Sequence, residues 1–118
     1  MWTPESLSEE LETSYAVLGE HTLALAQVET LLHLASAELI RIQGWHRVND
    51  DPETLGKNEA QRTAAIAEKC KGEATAVFHL DNQKIGLRYH IEAARSRIEH
   101  LRAQLRILEL AAGIQRAA

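Results

Sequence analysis

Residues 87–108 read LRYHIEAARSRIEHLRAQLRIL, and this stretch decides the fold class. Apolar residues recur in it at alternating steps of four and three, from Leu87 to Leu108. That spacing places their side chains along one seam of a long α-helix that packs against another helix. The stretch therefore predicts an all-α, coiled-coil-like protein.

The same rhythm occurs twice, once on either side of a polar segment in the middle of the chain. The first run consists of Leu7, Leu11, Ser14, Leu18, His21, Leu25, Val28, Leu32, Ala35, Leu39 and Ile42. The second run consists of Ile66, Cys70, Glu73, Val77, Leu80, Lys84, Leu87, Ile91, Ala94, Ile98, Leu101, Leu105, Leu108 and Ala112. Two seams of this kind predict two long helices that pack on each other.

The first helix is predicted over about residues 4–43. Thr3 is a good N-cap with Pro4 at the first helical position, and Gly44 is a natural stop. The turn-forming residues of segment 44–58 then predict an elbow between the helices.

The second helix is predicted over about residues 59–116, with Asn58 as its cap and Gln61 completing the capping motif. Gly72 and Gly86 weaken this helix, and either is a candidate kink. An elbow this short returns the chain beside itself. We therefore expect residues 1–118 to form one domain, a long antiparallel helical hairpin.

The distribution of charge supports the antiparallel arrangement. The first 40 residues contain seven acidic residues and no Lys or Arg, whereas the last 36 contain seven Lys or Arg and three Glu. An antiparallel hairpin lays the acidic start beside the basic end. The expected cross-helix pairs are Glu10 with Arg97 and Glu38 with Lys69.

The two seams differ in length, so the second helix is expected to project past the first. If Leu7 lies near Ile98, residues 101–116 have no partner helix within the hairpin. Apolar side chains surround most of this segment, and such a helix should be buried. We therefore expect a homodimer or higher oligomer, most simply a four-helix bundle of two hairpins. The predicted oligomer contacts are Leu101, Leu105, Ile107, Leu108, Leu110 and Ile114.

The spacing of histidine and cysteine residues argues against metal binding and catalysis. No two of the six histidines are three or four residues apart, and Cys70 has no cysteine partner. His21 falls on the seam opposite Lys84, where a polar layer would fix the register of the helices. A helical hairpin also offers no deep pocket. We expect no enzyme activity, no metal and no cofactor.

Two groups of residues are candidate contacts for a partner or for nucleic acid. At the elbow, Trp45 either plugs the end of the seam or, with Arg47, anchors another protein. Along the second helix, a basic stripe either pairs with the acidic first helix or follows a phosphate backbone. The stripe consists of Lys84, Arg88, Arg95, Arg102 and Arg106.

The bulk properties of the chain are those of a soluble intracellular protein. A net charge of −4 argues against general binding to nucleic acid or to membrane surfaces. No apolar run approaches the length and hydropathy of a membrane span, so we expect no membrane contact. We expect Cys70 to be a buried, reduced thiol on the seam. The expected location is the cytoplasm of a bacterial cell.

Residues 49–62, NDDPETLGKNEAQR, resemble a pattern in small uncharacterised helical proteins of bacteriophages and prophages. In those proteins a Gly-Lys-Asn-Glu-x-x-Arg segment joins two long amphipathic helices, and residues 101–110, LRAQLRILEL, are similar to their C-terminal helix. The resemblance implies a phage or prophage accessory role. In the sequence itself, Arg62 is placed to reach carbonyl groups of the elbow.

The predicted function is therefore a non-catalytic accessory protein that acts by self-association and by binding other proteins. The alternative is an oligomeric protein that binds single-stranded DNA as a recombination or replication mediator. That alternative rests on the basic stripe of the second helix and on a similarity of shape to the helical-hairpin recombination mediators of large phages.

Overall fold

The chain is all-α and forms a long antiparallel helical hairpin, as predicted. The computed structural model describes the backbone of residues 2–117 and the side chains of residues 2–113. The helices are α1 (Pro4–Asn49), α2 (Pro52–Leu55), α3 (Glu59–Lys69) and α4 (Lys71–Ala117).

Helix α1 begins as its sequence predicts. The hydroxyl of Thr3 accepts a hydrogen bond from the backbone N–H of Ser6, at 3.1 Å, and the Ser6 hydroxyl accepts one from the N–H of Thr3, at 2.9 Å. The exchange satisfies two of the N–H groups that a helix start leaves without helical partners. Pro4 is the first helical residue, where its missing N–H removes no helical hydrogen bond.

The predicted end of the first helix at residue 43 is wrong, because α1 continues to Asn49. Gly44 lies inside the helix, where it lowers stability by about 1 kcal/mol relative to alanine without breaking the hydrogen-bond ladder. The glycine that adopts a positive φ, 145°, is Gly56. The elbow therefore begins six residues later than expected.

Side-chain caps shape the shortened elbow. Asp51 caps the single turn α2 by accepting a hydrogen bond from the N–H of Glu53. Asn58 caps α3 by accepting one from the N–H of Gln61, at 2.9 Å, as predicted. The Arg62 Nε donates to the Gly56 carbonyl at 3.1 Å, which confirms that this arginine reaches the elbow backbone.

Neither Gly72 nor Gly86 interrupts the second helical segment. The interruption lies at Cys70, which has φ −99° and ψ 15° and separates α3 from α4. The Cys70 N–H still donates to the Ile66 carbonyl, and the Cys70 carbonyl still accepts from the Ala74 N–H. The break is therefore a local change of backbone angle, with the hydrogen bonds of the helix continuing across it.

Both predicted seams are the shielded sides of their helices. Every residue of the two runs is buried or partly buried, while most positions between them are exposed. The burial follows the alternating steps of three and four residues across all of α1, α3 and α4. The heptad pattern thus identified the packing surface correctly, including its polar members Ser14, Glu73 and Lys84.

Two compact units divide the hairpin. The terminal unit contains α1 up to Leu25 and α4 from Gly86 onward. The elbow unit contains residues 26–85.

In the terminal unit, apolar side chains of both helices are buried along the seam. They are Leu7, Ile91, Ala94, Ile98 and Leu101. Beside them, a carboxylate oxygen of Glu10 lies 3.7 Å from an Nη atom of Arg97, which is the predicted pairing. Arg97 also lies over the ring of Trp2, at 5.6 Å from its centroid. This contact holds Trp2 against its own chain.

The predicted opposition of His21 and Lys84 stays a prediction, and the ring partner of His21 is another histidine. The ring of His21 stacks on that of His90, with centroids 5.2 Å apart and planes 15° from parallel. The partly buried seam residue His21 is therefore stacked against an exposed histidine beside the seam in the terminal unit.

In the elbow unit, Leu55, Ile66 and Cys70 form a buried cluster against Leu39, Ile42 and Ala65. The pairing predicted between Glu38 and Lys69 is wrong. Glu38 binds Arg41, one turn along α1, at 2.6 Å, and Lys69 Nζ donates to a carboxylate oxygen of Asp50 at 2.7 Å. Because α1 extends to Asn49, Asp50 lies at its end, where Lys69 can reach it.

Candidate interaction surface

The end of α4 extends past the first residue of α1. The Glu10–Arg97 contact sets the register of the terminal unit, and by that register Pro4 lies level with Ala103. Residues 104–117 of α4 therefore continue beyond α1 for about 21 Å, at about 1.5 Å per residue.

Apolar side chains are exposed in this extension. Ile107 and Leu110 are 57% and 62% exposed. Leu105 and Leu108 continue the seam and are only partly buried. The side chain of Ile114, which the sequence also assigns to the contact surface, lies outside the described residues. We call residues 104–113 the exposed end of α4.

Leu101 is a correction to the predicted contact set. It is completely buried in the terminal unit, because the start of α1 covers it. Its side chain therefore belongs to the core of its own chain and is not available to a second copy. The uncovered part of α4 begins after Leu101.

The basic residues of α4 differ in what they contact. Arg95 lies 3.1 Å from Glu92, one turn away on the same helix. Arg102 and Arg106 make no ion pair within residues 2–113, and together with Glu99 and Ala103 they border a shallow surface depression. Lys84 is partly buried on the seam, and Arg88 is exposed. Within the stripe, Arg95 thus forms an ion pair in its own chain, whereas Arg102 and Arg106 form none within the described residues.

Trp45 does not plug the end of the seam, so that alternative is wrong. The tryptophan is 53% exposed on α1 and packs edge-on against the ring of His46, with centroids 5.1 Å apart. Because α1 remains helical through Gly44, the seam runs from Ile42 to His46 and leaves Trp45 to one side. The side chain is exposed to solvent and accessible to a partner.

Arg47 is held in a structural contact at the elbow. It lies 2.7 Å from a carboxylate oxygen of Glu59 and donates to the Thr63 hydroxyl at 3.3 Å. The hydrogen bond from Arg47 is the main reason that the pKa of Glu59 lies below its usual range. This arginine therefore joins α1 to α3, which the sequence did not anticipate.

The surface around the elbow offers an open depression lined by Pro52, Glu53, Gly56, Lys57 and Arg62. In the part of the chain that the structure describes, no group of three His, Cys, Asp or Glu residues is arranged to hold a metal ion.

Helix α1 is longer than predicted, and part of it is strongly apolar. It contains an 18-residue stretch with a mean hydropathy of 1.3 and no more than two charged residues, and no residue of that stretch is buried. The prediction that no stretch reaches the length and hydropathy of a membrane span is therefore wrong. By itself the finding is weak evidence for a membrane, because core helices and signal sequences share these properties.

The heptad pattern did not predict several exposed apolar residues. Leu34, Ile40 and Val48 are exposed on α1, and Phe78 and Ile85 are exposed on α4. All five lie off the seam. Their off-seam heptad positions were the available signal, since an apolar residue there has no partner within a two-helix hairpin.

Comparison of the chain with protein families, with characterised proteins and with solved structures finds no match.

Proposed function

We propose that this chain is a non-catalytic accessory protein that self-associates through the exposed end of α4 and binds other proteins in the assembled form. The supporting observation is the exposure of Ile107 and Leu110 on a helix end that α1 does not cover. Full burial of a side chain of this size contributes about 1.5–3 kcal/mol. A second copy would supply that burial for both chains at once.

The partly exposed Leu105 and Leu108 extend this surface along the seam. Trp45 is a second candidate contact for a partner protein, since exposed tryptophans are frequent anchors of interfaces. A phage or prophage setting follows from the resemblance of residues 49–62 and is part of the proposal.

Light scattering combined with size-exclusion chromatography tests the self-association. The wild-type chain is expected at twice its 13.2 kDa mass or more. Replacing Ile107 and Leu110 by serine should yield the monomer with unchanged helix content in circular dichroism. Val48→Ser is the matched control, because Val48 is 83% exposed and lies in the elbow unit. A monomeric wild-type chain, or a double variant with the wild-type mass, would contradict the proposal.

A second candidate function is binding of single-stranded DNA. It is favoured by Arg102 and Arg106, which make no ion pair within the described residues and lie on one short stretch of α4. Phosphate contacts of this kind weaken steeply as salt is raised.

Fluorescence anisotropy of a labelled single-stranded oligonucleotide, titrated over a range of salt concentrations, tests this candidate. Arg102→Glu with Arg106→Glu should abolish binding. Lys57→Glu with Lys71→Glu makes the same change in net charge in the elbow unit and should leave most of the affinity intact. Absence of binding by the wild-type chain at low salt excludes this function.

A further inference from the structure

We infer that the second copy lies beside the first with the two α4 helices running in the same direction, so that the acidic start of α1 in each copy faces the basic part of α4 in the other. The inference rests on the proposed self-association and specifies its geometry. The corresponding two-fold axis is parallel to the helices.

Charge in the terminal unit is separated between its two helices. Up to Leu25, α1 carries five Glu and no Lys or Arg. From Gly86 to Gly113, α4 carries five Arg and three Glu, a net charge of 5 − 3 = +2. The unit therefore presents an acidic helix beside a basic one.

The Glu10–Arg97 contact shows which side of the hairpin each charged residue occupies. Glu10 lies three positions after the seam residue Leu7, and Arg97 lies three positions after the seam residue Ala94. Leu7 and Ala94 occupy the same heptad position, so the Glu10–Arg97 contact marks one flank of the antiparallel pair. Arg95 and Arg102 directly follow the seam residues Ala94 and Leu101. They therefore lie on the opposite flank.

On α1, the acidic residues of that opposite flank are Glu5 and Glu12, which are exposed, and Glu12 directly follows the seam residue Leu11. On α4 the same flank carries Glu92 and Glu99, one of which pairs with Arg95, but Arg95, Arg102 and Arg106 keep it net positive. By the register of the Glu10–Arg97 contact, Glu12 lies level with Arg95 and Glu5 lies level with Arg102. Both pairs have the same spacing of seven residues. An acidic pair and a basic pair thus lie at matching heights on one surface.

Such a surface is complementary to itself. A two-fold rotation about an axis parallel to the helices preserves height and exchanges the positions of the two helices. Glu5 and Glu12 of each copy then face Arg102 and Arg95 of the other. An axis perpendicular to the helices would instead place α1 against α1 and bring like charges together, which disfavours that orientation.

The same orientation brings the exposed ends of the two α4 helices together. Both ends project from the same side of the assembly and lie next to each other. Leu105 and Leu108 of the two copies can then pack together as in a parallel coiled coil. The charges select the orientation, and the apolar ends supply burial.

Two charge-reversed variants test this orientation. The first carries Glu5→Arg and Glu12→Arg, and the second carries Arg95→Glu and Arg102→Glu. Each variant alone places like charges across the interface, so we expect its self-association to be at least tenfold weaker than that of the wild type. An equimolar mixture restores opposite charges on both sides and should form a heterodimer with nearly wild-type affinity in sedimentation velocity.

The outcomes separate this inference from the proposed function. If the wild-type chain is monomeric, both fail. If the wild type associates but the mixture does not recover from the loss seen in the single variants, or the variants associate as the wild type does, the orientation is overturned and self-association stands. Circular dichroism of each variant verifies that it remains helical.

A distance measurement tests the orientation without reversing any charge. Ala16 is exposed on α1, and an Ala16→Cys variant accepts a spin label while Cys70 remains buried. Side-by-side copies place the two labels within about 30 Å, given helix separations of about 10 Å. Copies joined only tail to tail at the ends of α4 would separate them by about 50 Å, at about 1.5 Å per residue. The longer distance would overturn the inference.

Discussion

Gly56 occupies a backbone conformation that residues with a side chain rarely adopt. Its φ of 145° is strained for residues with a side chain, and an added Cβ would lie 2.5 Å from the Cβ of Gln61. Gln61 cannot move away freely, because its side chain accepts a hydrogen bond from the Lys57 N–H at 2.8 Å. The elbow geometry therefore depends on this glycine.

Gly56→Ala is expected to destabilise the chain by roughly 1–3 kcal/mol, measured by chemical denaturation. Gly44→Ala is the matched control, since Gly44 lies inside α1 with no atom within 4 Å of an added Cβ. The control should raise stability by up to about 1 kcal/mol. Equal effects of the two changes would contradict the assignment of Gly56 as the turning point.

Asp50 gives the elbow a dependence on pH. The hydrogen bond from Lys69, with a further contribution from His46 at 2.8 Å, holds the pKa of Asp50 below its usual range. The folded state thus favours the carboxylate more than the unfolded state does. The resulting stabilisation is fully present above the unfolded pKa of about 3.9 and is lost as the pH falls through the lower folded value.

Asp50→Asn should therefore lower stability at pH 6 and reduce the further loss of stability between pH 6 and pH 3. Thermal unfolding followed by circular dichroism at both pH values measures the difference. Glu53→Gln is the control, because Glu53 makes no ion pair in the described part of the chain and is exposed. A variant with the full acid sensitivity of the wild type would show that Asp50 does not contribute.

Among the helices, the heptad pattern predicted which side of each one is buried but not where α1 ends. The seam from Leu7 to Ile42 could be read from the sequence because burial repeats along it many times. The end of α1 could not, since a single glycine at position 44 is a weak stop when the flanking residues pack well. The fold-back that correctly pairs Glu10 with Arg97 fails for Glu38 and Lys69, because nearer partners, Arg41 and Asp50, bind these two residues.

The same reasoning applies to the exposed end of α4. The sequence indicated an uncovered segment correctly, since the second run is longer than the first. It wrongly placed Leu101 in that segment. How much of α4 is covered depends on the residues before Leu7, and these are not part of the heptad pattern. Trp2 and Thr3 lie there, and they contact α4 and cap α1.

Leu101 and Leu110 separate the core of α4 from its exposed end. Leu101→Ala empties a fully buried position and should destabilise the chain by about 2–5 kcal/mol. Leu110→Ala alters an exposed position and should change the stability of the monomer by less than about 0.5 kcal/mol. Denaturant titration at low protein concentration measures both, and a larger effect at Leu110 would contradict the assignment of the core.

At the scale of the whole molecule, self-association would couple folding to concentration. A chain that buries Ile107 and Leu110 only in an oligomer is stabilised by mass action, because the oligomer forms from folded chains alone. Its thermal midpoint therefore depends on how much protein is present. A chain whose folding is complete without a partner has no such dependence.

We expect a tenfold increase in concentration to raise the thermal midpoint of the wild-type chain by roughly 2–4 °C, given the unfolding entropy of a domain of this length. The chain with Ile107→Ser and Leu110→Ser should have the same midpoint at both concentrations, and Val48→Ser should behave as the wild type. Differential scanning calorimetry measures all three chains. A concentration-independent wild-type midpoint would mean that the exposed end of α4 finds no partner in a second copy, and Ile107 and Leu110 would then remain in contact with water.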